Sequence, residues 1–259
     1  IQLTPEPQRG AELGTLNILP HGAVLIDGEH ILAVGEPAEL LLAHPEADLL
    51  DAGGKAVLPG FVDPHTHLVW AGDRLDEFEM RLQGKSYLEI MAAGGGIAAT
   101  LQATRAASFE ELLAQTRERA HTAFAYGTTT LEAKTGYGLD IETELRQLEV
   151  ILKLDEEGPL ELIPTYLGAH AIPPEFAGNA EGYTDFLCSE ALPALQAWWQ
   201  EHAPARQLPF VDVFCEEGVF DLAQTRSILL RAQELGFPLK LHADEFANLG
   251  GASLAAELG

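Results

Sequence analysis

From Lys55 onward the chain repeats one unit, a strand followed by a loop and a helix, and no other feature constrains its fold as much. Apolar stretches bounded by turn residues predict strands over Ala56–Leu68, Thr128–Lys134, Leu160–Leu167, Phe210–Glu216 and Pro238–His242. Between them, apolar residues recur every three or four positions, which predicts helices such as Phe109–Ala125, Ile141–Asp155, Glu190–Glu201 and Leu222–Leu235. Glu110, Glu111, Asp140 and Glu142 put carboxylates at helix starts, where the N-terminal dipole favours them. Strands alternating with helices pair side by side in one direction, so the expectation is a parallel sheet with right-handed crossovers.

Chemically capable residues fall just after these strands: His67, Lys134 to Tyr137, His170, Glu216 and His242. A TIM-type (β/α) barrel and a doubly wound sheet both build their sites at that end. No glycine fingerprint follows the first strand, which favours the barrel. Five strand–helix units are legible where a closed barrel has eight. The expected organisation is therefore a (β/α) barrel over residues 58–259 that stops short at its C-terminal end. Five strands alone leave two open sheet edges and half a core, so such a segment is expected neither to fold stably nor to turn over by itself.

Residues 1–57 read differently. Ala23 to Ile26 and Ile31 to Val34 are short apolar runs separated by Asp27-Gly28-Glu29-His30, a hairpin signal. Pro5, Pro7, Pro20, Pro37 and Pro45 suit loops or edge strands. The expectation is a small, sandwich-like β unit, itself incomplete. The chain starts at Ile1 rather than Met, which leaves room for a leader or first strand ahead of it.

Composition narrows the partners. Fifteen Lys and Arg stand against 40 Asp and Glu, a formal charge of -25 that repels phosphate backbones and anionic lipids. Nucleic-acid and membrane partners are thereby disfavoured. No apolar run is long enough to span a bilayer, and no charged-then-apolar leader opens the chain. Cys188 and Cys215 are too few for a disulfide framework and sit in apolar stretches, so buried free thiols are expected. Together these point to the cytoplasm.

The chemistry starts at Gly60-Phe61-Val62-Asp63-Pro64-His65-Thr66-His67. On a strand, residues two apart share a face and lie about 6.6 Å apart along it, so two imidazoles can converge on one metal ion. The bland alternative is a pair of strand histidines satisfied by hydrogen bonds. His242 ends the fifth predicted strand and supplies a third imidazole. Glu245, three residues later, falls where the chain turns over the barrel mouth, in reach of a water or a substrate ring nitrogen, or else it is a solvated loop acid. Asp244 is expected to point away from the face His242 uses.

Pro59 to His67 together with His242 to Glu245 resembles the metal-site pattern of the amidohydrolase superfamily. Within it the imidazolonepropionase family is the one resembled, through Gly72-Asp73-Arg74, Arg81 to Tyr87, Ala93 to Ile97, Lys134-Thr135-Gly136-Tyr137-Gly138-Leu139, Leu167-Gly168-Ala169-His170 and Asn248-Leu249-Gly250-Gly251. The resemblance implies a single zinc or iron ion held by His65, His67 and His242. It also implies Arg74 on the substrate's carboxylate, Tyr87, Tyr137 and His170 around the ring, and Glu245 as a hydrogen-bonding and proton-transferring group. The reaction so implied opens 4-imidazolone-5-propanoate to N-formimidoyl-glutamate, a step of histidine degradation, with a small-molecule substrate and a homodimer as an open possibility. The family pattern also holds a later strand-end histidine and a metal-completing aspartate, both expected beyond Gly259.

Competing readings stand beside these. Arg74 lies among Asp73, Asp76 and Glu77 and can be a surface ion pair. Tyr137 can cover a turn, and His170 can bond to backbone. Lys134 is read as structural, because the resemblance is to a one-metal site. Gly94 to Gly96 lacks the Lys-Ser/Thr ending of a phosphate loop. His21, His30, His44, His121 and His202 read as incidental, and Trp198 with Trp199 as helix packing. At the level of function the rivals are a superfamily deaminase acting on a cytosine- or guanine-like ring, which has no use for Arg74, and a degenerate barrel that binds without catalysis.

Overall fold

A computed structural model describes residues 8–86, 89–90 and 95–259. The chain forms two compact units that meet between Gly60 and Phe61. In the first, β1 (Ala23–Asp27) and β2 (His30–Gly35) form an antiparallel hairpin in which Asp27 pairs with His30 across Gly28-Glu29. Gly28 takes a positive φ of 57°, which the tight turn requires and glycine accepts at no steric cost. A short helix, α1 (Pro37–Ala43), follows, and Pro37 lies in its first turn, where a missing N–H costs nothing. The β reading of this segment omitted that helix. Pro5 and Pro7 lie outside the described residues.

The second unit holds a five-stranded parallel sheet in the order β3 (Phe61–Asp63), β4 (Thr128–Lys134), β5 (Glu161–Ala169), β6 (Phe210–Cys215), β7 (His242–Ala243). Strand order follows chain order without reversal, so right-handed crossovers carry every connecting helix to the same face. A doubly wound sheet needs a reversal; this sheet curls instead, as half of a barrel does. The connecting helices are α2 (Leu75–Leu82), α3 (Ile97–Ala106), α4 (Phe109–Ala125), α5 (Ile141–Glu157), α6 (Ala180–Phe186), α7 (Leu192–His202), α8 (Leu222–Glu234) and α9 (Gly251–Leu258). A π turn, Leu187–Ala191, joins α6 to α7, so the helix expected from Glu190 is the last part of a longer run. Among the described residues no helix is long and apolar enough to cross a membrane.

Local chemistry sets the helix starts. Ser108 and Glu111 form a reciprocal capping box on α4, Asp221 and Gln224 do the same on α8, and the Asp140 carboxylate accepts from Thr143 N on α5. The core lies between the sheet's outer face and the helices. Leu131 and Ala133 of β4, Leu162 of β5 and Val211 and Val213 of β6 are buried there against Leu148, Ile151, Leu195, Ile228 and Leu229. Trp199 is buried in the same core and Trp198 packs on its edge.

Two strands are shorter than the apolar runs suggested. β3 covers only Phe61–Asp63 of Ala56–Leu68, because Pro59 and Pro64 bring no N–H to a ladder. β7 covers His242–Ala243, and the preceding residues join through a Val211–Leu239 bridge and the bond from Lys240 N to Val211 O. Both cysteines are free. Cys215 is buried, whereas Cys188 is only half-buried, at the surface of the α6–α7 run.

Candidate metal centre

His65 and His67 follow β3 on an extended segment laced to β4. The Thr66 hydroxyl donates to Glu132 O, and Lys134 N donates to Thr66 O at 3.1 Å. Fixing Thr66 toward β4 turns its two neighbours to the same side. His242 opens β7 at the far edge of the sheet. A flat five-stranded sheet would hold its edge strands about 19 Å apart at ~4.8 Å per step. The His65 and His242 rings nonetheless lie 4.4 Å apart, and His67 and His242 5.3 Å apart. The curl of the sheet brings them together. One nitrogen from each of the three imidazoles lies within 4.8 Å of the others.

The donor set suits a metal ion. Burial drives the His67 pKa down to about 2, with His170 and His242 adding to the effect, and burial also lowers His65. Both are neutral imidazoles at pH 7, the form that ligates. His67 Nε2 and His242 Nε2 face each other at 3.3 Å. Two ligands about 2.0–2.1 Å from a tetrahedral ion are separated by roughly 3.3–3.4 Å, so the spacing matches. His67 Nδ1 is buried without a hydrogen-bond partner among the described residues.

Below the histidines, the inner face of the sheet carries charge. Lys134 Nζ donates to Glu132 Oε1 at 2.8 Å and to Asp212 Oδ2 at 2.7 Å, with all three side chains no more than 2% exposed. The Thr165 hydroxyl and the Lys240 ammonium also donate to Glu132 Oε1. Burial alone would raise the Asp212 pKa, but His242 and Lys134 outweigh it and bring it to about 2.

The substrate-side residues cluster at the rim. The Tyr137 ring lies 5.9 Å from His67 and 5.2 Å from His170, and His170 stacks on His67 at 4.8 Å. His170 Nδ1 is 2.8 Å from Gly136 O. A carbonyl only accepts, so the proton is on Nδ1 and Nε2 keeps a free lone pair. Burial lowers the His170 pKa to about 4. The loop carrying Tyr137 is held from beneath by Glu144, whose buried carboxylate accepts from Gly136 N, Gly138 N and Leu139 N. Gly136 has φ 108° and no room for a side chain, since a Cβ would meet His170 Nδ1 at 3.0 Å. Arg74 stands at the N-cap position of α2 without capping it, donates from Nε to Thr100 Oγ1 at 3.1 Å, and sits 3.8 Å from Glu77. Its charge acts on Tyr137, opposing the upward push of burial on that phenol.

The structure therefore brings His65, His67, His242, Tyr137 and His170 into one cluster and puts Arg74 within electrostatic reach of it. Glu245 does not reach the histidines. It is exposed on a loop whose backbone is gripped by Glu216, which accepts from Phe246 N at 2.8 Å and Ala247 N at 3.1 Å. Tyr87 lies outside the described residues, as does Gly94 of the glycine run. Asp212, Glu132, Lys240 and Glu144 were not singled out from the sequence. The available signal was charge at two-residue spacing within apolar strands, as in Glu132/Lys134 and Lys240/His242.

Comparison with known proteins bears on this cluster. Residues 22–47 match a family model described as the imidazolonepropionase-like composite domain of bacteria, and residues 48–107 match the amidohydrolase family. The chain is 51% identical to the imidazolonepropionase of Herpetosiphon aurantiacus over 98% of its own length and 59% of that protein's. By sequence, the chain is similar to imidazolonepropionases over nearly all of its own length. It is 49% identical to the Chloroflexus aggregans enzyme, over 98% of its length and 60% of that protein's. The chain thus spans about three-fifths of the curated relatives it matches. In fold it is similar to a 5-methylcytosine deaminase from Klebsiella pneumoniae solved with 5-fluorocytosine, at a TM-score of 0.58 and 16% identity, over 92% of this chain and 51% of that one. At that identity the likeness concerns the fold alone.

Proposed function

We propose that this chain carries the metal-binding half of a hydrolase that opens 4-imidazolone-5-propanoate to N-formimidoyl-glutamate. The convergence of three imidazoles from the two edges of the sheet, beside Tyr137, His170 and Arg74, is the observation that carries the reading. We read residues 58–259 as five units of an eight-unit TIM-type barrel and the hairpin unit as part of a composite β domain. His65, His67 and His242 would hold one zinc or iron ion. Such an ion supplies Lewis acidity, worth several kcal/mol of charge stabilisation in the transition state.

The remaining roles belong to the chain's own groups. Arg74 presents a guanidinium fork to the propanoate, with its Nε already fixed by Thr100. The Tyr137 phenol, kept protonated by burial, donates a hydrogen bond to the ring. His170 offers the unprotonated Nε2 that its bond to Gly136 leaves free. Water adds to the ring carbonyl carbon, the ring C–N bond breaks, and the departing amidine nitrogen takes a proton. Glu245 is our candidate to carry that proton, once the loop Glu216 holds turns its carboxylate inward. Arg74 favours this substrate over a neutral nucleobase, which has no carboxylate to meet it. The reading includes a cytoplasmic setting, in line with two free cysteines, and a homodimer as the assembly to test.

The deciding experiment follows the ultraviolet absorbance of freshly generated imidazolonepropanoate, without oxygen, after adding the full-length protein with and without a chelator. Chelator-sensitive decay is the expected result. Decay that ignores the chelator would remove the metal from the proposal, and no decay would remove the substrate.

A further inference from the structure

The charged array beneath the histidines has no part in the chemistry so far. Asp212 Oδ2, on β6, lies 2.7 Å from Lys134 Nζ and 2.8 Å from His242 Nδ1, so one oxygen serves both. We propose that Asp212, anchored by Lys134, is a positioning residue for His242: it holds the proton on Nδ1 and so turns the Nε2 lone pair toward the point that His67 Nε2 also faces.

A carboxylate oxygen only accepts, so at 2.8 Å the imidazole must present N–H to it. By separation this is a hydrogen bond; by direction the N–H lies off the oxygen, and His242 Nδ1 and Asp212 Oδ1 both lack an aligned partner. The separation decides, because two lone pairs at that distance would repel. Hydrogen bonds in unliganded active sites are often poorly aligned and tighten in the substrate complex. The Nδ1 proton leaves Nε2 bare, and Nε2 is the atom 3.3 Å from His67 Nε2.

The surroundings hold Asp212 still. Lys134 is fixed at its other side by Glu132, which in turn takes the Thr165 hydroxyl and the Lys240 ammonium. Asp212 is thus held on its Lys134 side independently of its contact with His242. His67 provides the contrast. Its Nδ1 is buried with no partner among the described residues, whereas His242 Nδ1 has the Asp212 carboxylate 2.8 Å behind it. A carboxylate behind a ligating imidazole fixes its tautomer and orientation, and loss of such a group commonly weakens metal binding 10- to 100-fold.

The inference rests on the metal reading above, and the test separates the two. Zinc affinity of the full-length protein is measured by chelator competition for wild type, Asp212→Asn and Leu131→Ala, a core truncation on the sheet's outer face that controls for loosening of the fold. Asp212→Asn is expected to bind zinc about 10- to 100-fold more weakly while Leu131→Ala stays near wild type. Equal affinity in Asp212→Asn and wild type overturns the proposal, and so does an equal loss in both variants. Long-range ¹⁵N–¹H correlation on wild-type protein reads the His242 tautomer without any substitution. Nδ1–H supports the brace and Nε2–H overturns it. If wild type takes up no zinc, the metal reading fails, and the tautomer in the metal-free protein still decides the pairing.

Discussion

The two faces of one sheet differ as much as two proteins might. On the outer face, Leu131, Ala133, Leu162, Val211 and Val213 are buried in one apolar cluster with helix side chains. On the inner face β4 and β6 carry Glu132, Lys134 and Asp212, Lys240 joins them from the segment before β7, and the histidines lie above. The two sets interleave at single-residue spacing along β4 and β6, so β4 one register out would turn Glu132 and Lys134 into the apolar core, and β6 one register out would do the same to Asp212. The outer face supplies stability through removal of apolar surface from water. The inner face spends part of it on desolvating charges, which persist only because each is paired. A buried ion network is poor support for a fold and good support for a site whose geometry must not drift.

That contrast can be tested from its largest expected effect downward. Replacing His67 by alanine removes a proposed ligand at the centre of the cluster. Turnover of imidazolonepropanoate by the full-length protein should fall on the order of a thousandfold or more, in keeping with several kcal/mol of Lewis-acid stabilisation. Leu131→Ala addresses the other face. It should cost about 2–5 kcal/mol in denaturant unfolding while the folded protein keeps its catalytic constants. A variant that stayed stable and lost activity would show that the faces are not separate in role.

Acid should then act on the inner face alone. His67 and His170 have folded pKa values of about 2 and about 4, below the 6.5 of a free imidazole. The unfolded chain therefore binds more protons, and the stability these groups confer is complete above about pH 6.5 and lost as pH falls, toward 4 for His170 and on toward 2 for His67. Asp212, lowered from 3.8 to about 2, adds a further loss only below about pH 4. For metal-free protein the unfolding free energy should be level above neutrality and fall between pH 6 and 4 by on the order of 5 kcal/mol for the two histidines together, read as a falling melting temperature. A flat profile over that range would mean the histidines are not desolvated as described. The smallest effect belongs to the rim. Arg74→Ala should raise KM by the equivalent of about 1.5–3 kcal/mol, the value of a charge-assisted bond, with kcat little changed. An unchanged KM would assign Arg74 to its bonds with Thr100 and Glu77.

The outer face was legible in the sequence and much of the inner face was not. Phe109–Ala125 matches α4 at both ends, because apolar spacing marks the helix and Ser108 with Glu111 marks its start. Thr128–Lys134 matches β4 for a related reason: turn residues bound it on both sides. The histidines stood out because paired imidazoles are uncommon at strand ends. Asp212 did not, since one acid inside Phe210–Cys215 looks like a blemish in a core strand until the lysine and histidine that face it are known, and both lie on other strands. Glu144 was hidden differently. It reads as an ordinary acid in the first turn of α5, and its partners are backbone N–H groups, which have no signature in sequence. The overlong reading of β3 came from counting an apolar run without subtracting the ladder bonds that Pro59 and Pro64 cannot make.

Because His65 and His242 come from opposite edges of the sheet, the gap between their rings works as a gauge of its curvature. Each of the four strand-to-strand steps contributes to that gap. A slight flattening at any one of them, even beneath a helix far from the histidines, adds to the separation at the cluster. Tolerance to substitution in the α5, α7 and α8 packing should therefore be set less by how much stability is lost than by whether the arc stays closed.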